Sequence, residues 1–284
     1  MKKVNAILTA DIHLEDTTPV CRTDDYLEEQ KKKLLFLNEH QEKHNCIVID
    51  AGDLFTNWKA SPWLINRAFE LLPNEMFTIT GNHDLPEHSL EQFERSALAV
   101  LKNNKQNFYV YSKEQYKGEL FLPDYNRNIL ILHQLIVSSD DKAAKYLSGM
   151  TAKKVLKKYP DYDLIVTGDN HKPFVQEYKR RLLVNPGSMM RRTADQVNHK
   201  PRFYLYYARE NKVEPIYYPI NKNVIDRSHI DVPQERKDRI RSYIERMNMK
   251  WDAGLSFKDN LKIFFSKNKT PQKIKDLIWE QMKN

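Results

Sequence analysis

Nine side chains in this 284-residue sequence are of types that hold metal ions or move protons, and they fall in five short clusters. Asp11 and His13 lie in "LTADIH", and Asp53 in "IDAGD". Asn82, His83 and Asp84 lie in "TITGNHD", His133 in "LILH", and Asp169 and His171 in "VTGDNHK". Carboxylate, imidazole and amide oxygen form a mixed hard and borderline ligand set, suited to manganese, iron or zinc rather than to calcium alone. The candidates are too many for one ion. Two ions about 3.5–4 Å apart, sharing a bridging carboxylate, would use them and suit phosphoester hydrolysis.

Taken singly, the patterns are weak. Asp-x-His fits a turn or cap, Gly-Asp is common in loops, and a lone His133 is more often a satisfied core histidine. Gly81-Asn-His-Asp84 is harder to justify by packing, because three adjacent polar groups follow a buried run. Five separate strand ends would each need an unrelated reason.

These residues need elements that bring them together. Short runs rich in Val, Ile and Leu at 4–10, 46–51, 76–80, 128–132 and 163–167 read as strands. Helical periodicity spans 24–44, and Ser61-Pro62 predicts a helix start running to Leu72. Ser89 with Gln92 predicts a capping box ahead of a helix to Leu101, and Thr151 a helix start between the last two strands. Strand–helix alternation indicates an α/β fold. In such sheets the carboxyl ends of the strands share one rim, where ligands bind. Glycines before Asp53, Asn82 and Asp169 let the backbone approach closely. Beyond 172 the texture changes to two hairpins rich in aromatic and β-branched residues. From 233 the pattern is helical, with starts at Ser256 and Thr270-Pro271. This predicts a catalytic domain over 1–220 and a helical module over 221–284.

Composition narrows the class. Cys21 and Cys46 alone do not make a disulfide framework and fit a reducing cytosol. No run is long enough to span a bilayer, so a cytoplasmic protein with no membrane partner is expected. Residues 1–171 carry 21 Lys and Arg against 25 Asp and Glu, a net of −4. Residues 172–284 carry 25 against 13, a net of +12. The first part suits cations. The second suits a polyanion such as nucleic acid, or is simply a solvated surface.

Asp11-x-His13, Gly52-Asp53, Gly81-Asn-His-Asp84, His133, Gly168-x-x-His171 and Asn185-Pro-Gly-Ser188, in that order, resemble the calcineurin-like metallophosphoesterases over residues 4–190. The resemblance implies a four-layer α/β/β/α sandwich around a dinuclear metal centre. By position, Asp11, His13 and His171 would bind one ion, Asp53 would bridge, and Asn82 and His133 would bind the other. His83 would steady the transition state and protonate the leaving oxygen, with Asp84 orienting it. The family usually has Gly-His-x-His where this chain has Gly-Asp-Asn-His. Asp169 is therefore expected as a ligand of the second ion, favouring manganese or magnesium over zinc, the alternative being that it points away and leaves that ion fewer protein ligands.

Within the superfamily, "TADIHL", "AGDLF", "ASPWLINRAFELL" and "ITGNHDL" resemble the SbcD-type DNA repair nuclease subunit in a compact form. That resemblance implies a manganese-dependent DNA exonuclease or endonuclease, an SbcC-type coiled-coil ATPase partner and a homodimer. The helices "GLSFKDNLKIFF" and "TPQKIKDLIWEQM" would dock the ATPase, cap DNA, or pack on their own domain. Thr56 stands where that subfamily often has a histidine, and His88 is expected at the surface. Lys172, Lys179, Arg180, Arg181, Arg191 and Arg192 flank the His171 and Asn185–Ser188 loops and, with Ser188, are the candidate DNA and phosphate contacts, ordinary surface charge being the alternative for any one of them. The rival functions are a small-substrate phosphodiesterase or phosphatase and a metal-free scaffold.

Overall fold

The computed structural model describes residues 2–111, 116–140 and 151–227, with six positions beyond them (262, 265, 266, 272, 275 and 276). Residues Met1–Arg227 form one compact unit and Ser228–Asn284 another. At the six positions of the second unit the backbone is helical. The rest of the two expected C-terminal helices, including Phe257, Leu261, Phe264, Ile274, Leu277 and Ile278, lies outside the described residues.

The first unit is built on two sheets. One contains β1 (Ala6–Thr9), β2 (Ile47–Asp50), β3 (Met76–Thr78) and β4 (Phe108–Val110), all parallel. It is extended beyond β1 by the antiparallel hairpin of β10 (Arg202–Tyr207) and β11 (Lys212–Tyr217). The other has the order β5-β6-β7-β9-β8. Its strands are β5 (Lys117–Leu122), β6 (Arg127–His133), β7 (Leu164–Gly168), β8 (Phe174–Tyr178) and β9 (Arg181–Asn185). The turn between β8 and β9 uses Lys179 and Arg180, both at positive φ (52° and 61°), which matches the twist of a two-residue hairpin.

Alternation along the strands makes the layers. Leu8, Ile49, Ile131, Val166 and Val184 face the space between the sheets. Ile7, Val48 and Met76 face outward onto α1 (Tyr26–His44), α2 (Pro62–Leu71) and α3 (Ala97–Asn104). Leu130, Leu132, Ile165 and Leu183 face outward onto α4 (Ala152–Lys158). The result is the expected four-layer α/β/β/α sandwich. Period-two side-chain placement lets one strand supply both cores.

Helix starts follow local chemistry with two exceptions, the first being Thr151, which precedes α4 without a side-chain cap bond. Ser61 accepts a hydrogen bond from the Leu64 N–H, as the Ser-Pro pair predicts. The Ser89–Gln92 capping box does not form. Residues Leu90–Arg95 make a short 3₁₀ segment with no side-chain cap, and α3 instead starts at Ser96, whose Oγ accepts from Ala99 N. Ser96 is buried, and its Oγ meets the third N–H of the real helix. Among the described residues, no helix is long and apolar enough to cross a membrane.

Candidate metal centre

The loops that follow β1 and β2 continue the parallel pairing past the strand ends. Asp11 N–H donates to Gly52 O (3.0 Å), His13 N–H to Asp53 O (2.9 Å) and Leu14 N–H to Leu54 O (2.7 Å). Asp11, His13 and Asp53 take this path in left-handed conformations, with φ of 51°, 50° and 56°. Such conformations are costly for residues with a Cβ, of order 1–3 kcal/mol each, and their concentration at one place marks a functional loop pair. Glycine is required beside them. Gly52 sits at φ 91°, and a Cβ on Gly81 would collide with the Asp53 carboxylate.

This backbone brings acceptor atoms from the five clusters together. His13 Nε2 lies 3.1 Å from His171 Nε2 and 3.7 Å from Asp53 Oδ2. His133 Nε2 lies 3.3 Å from the same Asp53 oxygen and 3.0 Å from Asn82 Oδ1. Asp53 Oδ2 therefore stands between the two histidines. Asp11 Oδ1 is 4.0 Å from His171 Nε2, and Asp11 Oδ2 is buried without a partner. Two sets of ligand atoms lie close enough to share an ion: Asp11, His13 and His171, and Asp11, Asp53 and His133. Lone pairs facing one another, with an orphaned buried carboxylate oxygen beside them, are what a divalent cation would satisfy.

Supporting hydrogen bonds fix these ligands. His133 Nδ1 donates to Ala51 O (2.7 Å), which leaves Nε2 facing Asn82 and Asp53. Asp53 Oδ1 accepts from His83 N–H (2.9 Å), so only Oδ2 is left for the centre. Asp169 N–H donates to Asp11 Oδ1 (3.0 Å).

Protonation follows from burial and pairing. Burial pushes the Asp11 carboxyl up to about 7, with the Asp53 charge adding to it. Burial also drives His13 well below the usual imidazole range and lowers His171, keeping both as neutral ligands. Burial alone would raise Asp53, but its hydrogen bond to His133 and the surrounding imidazoles outweigh that and hold it at about 2. Burial would lower His133, yet the Asp53 pairing lifts it to about 10.

His83 is exposed at the mouth of this cluster. Its ring centroid is 5.2 Å from that of His13, and its Nδ1 donates to Thr56 O (2.9 Å), leaving Nε2 free. Here the expected pairing with Asp84 is corrected. Asp84 is fully buried and its carboxylate accepts three backbone N–H groups instead: Gly81 (2.9 Å), Phe55 (3.0 Å) and Leu54 (3.3 Å). It ties the loop after β3 to the loop after β2, and the Thr56 carbonyl orients His83. Burial, followed by the Asp53 charge, pushes Asp84 up to about 7.

Other expectations also change. Asp169 joins neither ligand set; it is half-buried beside the centre at φ 73° and lines the depression next to His171. Its charge reaches Asp11 and His171 without its oxygens entering the cluster. Arg191 is buried, and its guanidinium donates to Asn221 O (2.5 Å) and Val197 O (3.4 Å). Arg192 forks onto Glu15, at 2.8 and 3.3 Å. Ser188 is buried, with its hydroxyl donating to Met190 O (3.0 Å). These three hold the rim loop together rather than facing solvent. Of the candidate phosphate contacts, Lys172, Lys179 and Arg180 are exposed. His88 is exposed, as expected, with its Nδ1 2.8 Å from Asn82 O.

Sequence reasoning missed Asp50, which is buried beneath the centre at the end of β2 and accepts from Thr78 Oγ1 (2.6 Å). The signal was present: one acid closes the otherwise apolar run "IVID".

The description "Calcineurin-like phosphoesterase superfamily domain" matches residues 5–206. The chain belongs to this superfamily. A protein of Methanocaldococcus jannaschii described as a probable metallophosphoesterase is 28% identical over 146 residues, which is 51% of this chain and 73% of that protein. Among solved structures, an archaeal phosphodiesterase is 15% identical, with a TM-score of 0.44, covering 75% of this chain and 99% of its own. Vacuolar protein sorting 29 from Cryptosporidium parvum is also 15% identical, with a TM-score of 0.39, covering 76% and 97%. Membership in the calcineurin-like superfamily makes the chain a phosphoesterase by family, and its Asp and His clusters include two groups that could hold a metal ion.

Proposed function

We propose that this calcineurin-like phosphoesterase is a two-metal phosphodiesterase that cuts DNA, with manganese as its working ion and an SbcC-type coiled-coil ATPase as its partner. The observation that carries the hydrolytic reading is His83: an exposed imidazole with one nitrogen pinned to Thr56 O and the other free, at the mouth of two converging ligand sets. The nuclease reading is supported by the wording around Gly52-Asp-Leu-Phe55, by the following α2 sequence, and by the basic balance of residues 172–284.

The residues divide the work. Asp11, His13 and His171 would hold one ion and Asn82 with His133 the other, with Asp53 Oδ2 between them. Bound there, two divalent ions supply Lewis acidity at the phosphoryl oxygens and make a water nucleophilic near neutral pH. His83 Nε2, left free by the Nδ1 bond to Thr56 O, would donate a proton to the leaving oxygen, a step that typically contributes 10²–10⁴-fold. Asp84 holds the loop that carries Asn82 and His83.

The test is digestion of an end-labelled linear duplex with manganese, alongside His83→Ala protein. Cutting by the wild type, reduced at least 100-fold in the variant at equal metal content, is the expected result. If the wild type leaves the duplex intact while turning over a chromogenic phosphodiester, the reading shifts to a small-substrate phosphodiesterase.

A further inference from the structure

A second charged feature lies away from the metal centre. α4 and the β8–β9 hairpin carry eight cations against two carboxylates, counted over residues 151–161 and 172–181. Lys153, Lys154, Lys157 and Lys158 are all exposed on α4, and Lys179 and Arg180 form the exposed turn. The charges converge on one ring: Lys153, Lys157, Lys179 and Arg181 all stand 5.7–5.9 Å from the Tyr178 centroid. Arg181 is fixed there because its guanidinium donates to Leu156 O and Tyr159 O at the end of α4.

Among the described residues, none of the four α4 lysines or Lys179 makes an ion pair. Glu177, the one acid on β8, pairs in register with Leu182, which faces the other sheet, so Glu177 points away from Tyr178 and α4. A single ring softens the repulsion of four crowded cations only in part. Lysines guard exposed sheet edges, and β8 is an edge strand. That role accounts for Lys179 but not for lysines projecting from a helix in the outer layer.

β8 connects this patch to the metal rim. Its Phe174 end follows His171 and Lys172 directly, and its Tyr178 end lies in the patch. At about 3.3 Å per residue the two ends are roughly 13 Å apart.

We infer that the α4 and β8–β9 face is a phosphate-backbone contact for duplex DNA, gripping the substrate at the far end of β8 from the metal rim. The inference rests on the nuclease reading above. It adds a contact that is independent of sequence and that steers long substrates.

The test is duplex binding by the full chain across a salt series, using a 30-base-pair probe, wild type against a Lys153→Gln, Lys154→Gln, Lys157→Gln, Lys158→Gln protein. The variant is expected to bind more weakly, with a salt slope shallower by about 2–4, since each phosphate contact contributes about 0.9. Its turnover of a small chromogenic phosphodiester should match the wild type. Single Lys153→Gln and Lys157→Gln proteins should each lose about one unit of slope, which guards against a folding defect in the quadruple variant. If wild type and variant bind and cut the duplex alike, the patch is not a DNA contact and the nuclease reading stands. A wild type that does not bind the duplex overturns the inference. So does loss in the variant of binding to anionic lipid vesicles with duplex binding unchanged.

Discussion

His133 Nε2 and Asn82 Oδ1 lie 3.0 Å apart, and the other nitrogen of that imidazole already donates to Ala51 O. With Asp53 Oδ2 at 3.3 Å, three acceptor atoms converge on one point. Either a proton on Nε2 or a cation must occupy it. Metal must therefore displace the proton that Asp53 stabilises on His133. Manganese is expected to raise the melting temperature of the wild type, and protons should be released on binding. His133→Ala should lose one bound ion per chain by elemental analysis. Retention of two ions in that variant would remove His133 from the ligand set.

Asp84 has a different task, and its loss should have a different signature. Its two oxygens satisfy three N–H groups in loops that carry Asp53 and His83. Asp84→Ala would orphan buried donors, at about 1–3 kcal/mol each. The expected result is a large fall in melting temperature together with lost activity. His83→Ala, with an exposed ring, should instead lose activity at an unchanged melting temperature. A fully stable Asp84→Ala protein would contradict the backbone-tethering role.

The contrast between Asp84 and His83 shows what could be read from the chain. The five clusters were legible because polar groups directly after buried apolar runs have nowhere to go but a shared rim. The α/β class was legible because apolar runs alternate with helical periodicity; the four layers came from the family resemblance. What a polar residue touches at long range was not. Arg192 looks like a phosphate ligand until Glu15, 177 positions away, takes its guanidinium. Arg191 is spent on the carbonyls of Val197 and Asn221. Ser89 and Gln92 have capping-box spacing, yet Ser96 is the residue buried at the true helix start. β4 escaped notice because it has only three residues, and β5 because its six residues are mixed in polarity, with Gly118 alone buried.

Asp169 tests how far the family pattern extends. It occupies the place of a usual histidine ligand, but it joins neither ligand set, and it supports the centre through its backbone N–H to Asp11. Asn tolerates the left-handed φ of 73° and keeps that N–H. Asp169→Asn is expected to retain the wild-type ion stoichiometry, with only a modest change in turnover from the lost charge beside Asp11 and His171. Loss of one ion from Asp169→Asn would make the carboxylate a ligand that swings in when metal binds.

Lys33 predicts a pH dependence independent of the metal ligands. Its amine is 2% exposed and donates to Met189 O (2.9 Å), in the loop whose Met189 N–H holds Asp11 O. Burial, aided by the charges of Arg22 and Arg191, lowers it from 10.5 to about 7. In that window the unfolded chain binds a proton that the folded chain has shed. The Lys33 contribution to stability must therefore rise with pH from about 7 to 10.5, by up to about 1.4 kcal/mol per unit, while His133, raised to about 10 in the fold, contributes the opposite slope up to about 10. Lys33→Met removes the titration. Denaturant unfolding at pH 7, 8 and 9 should show stability changing with pH by up to about 1.4 kcal/mol per unit more positively in the wild type than in the variant, the His133 slope being common to both. Any cost of leaving Met189 O unpaired would shift the variant equally at all three values. Equal slopes for the two proteins would mean that Lys33 stays charged in the fold, with water reaching it.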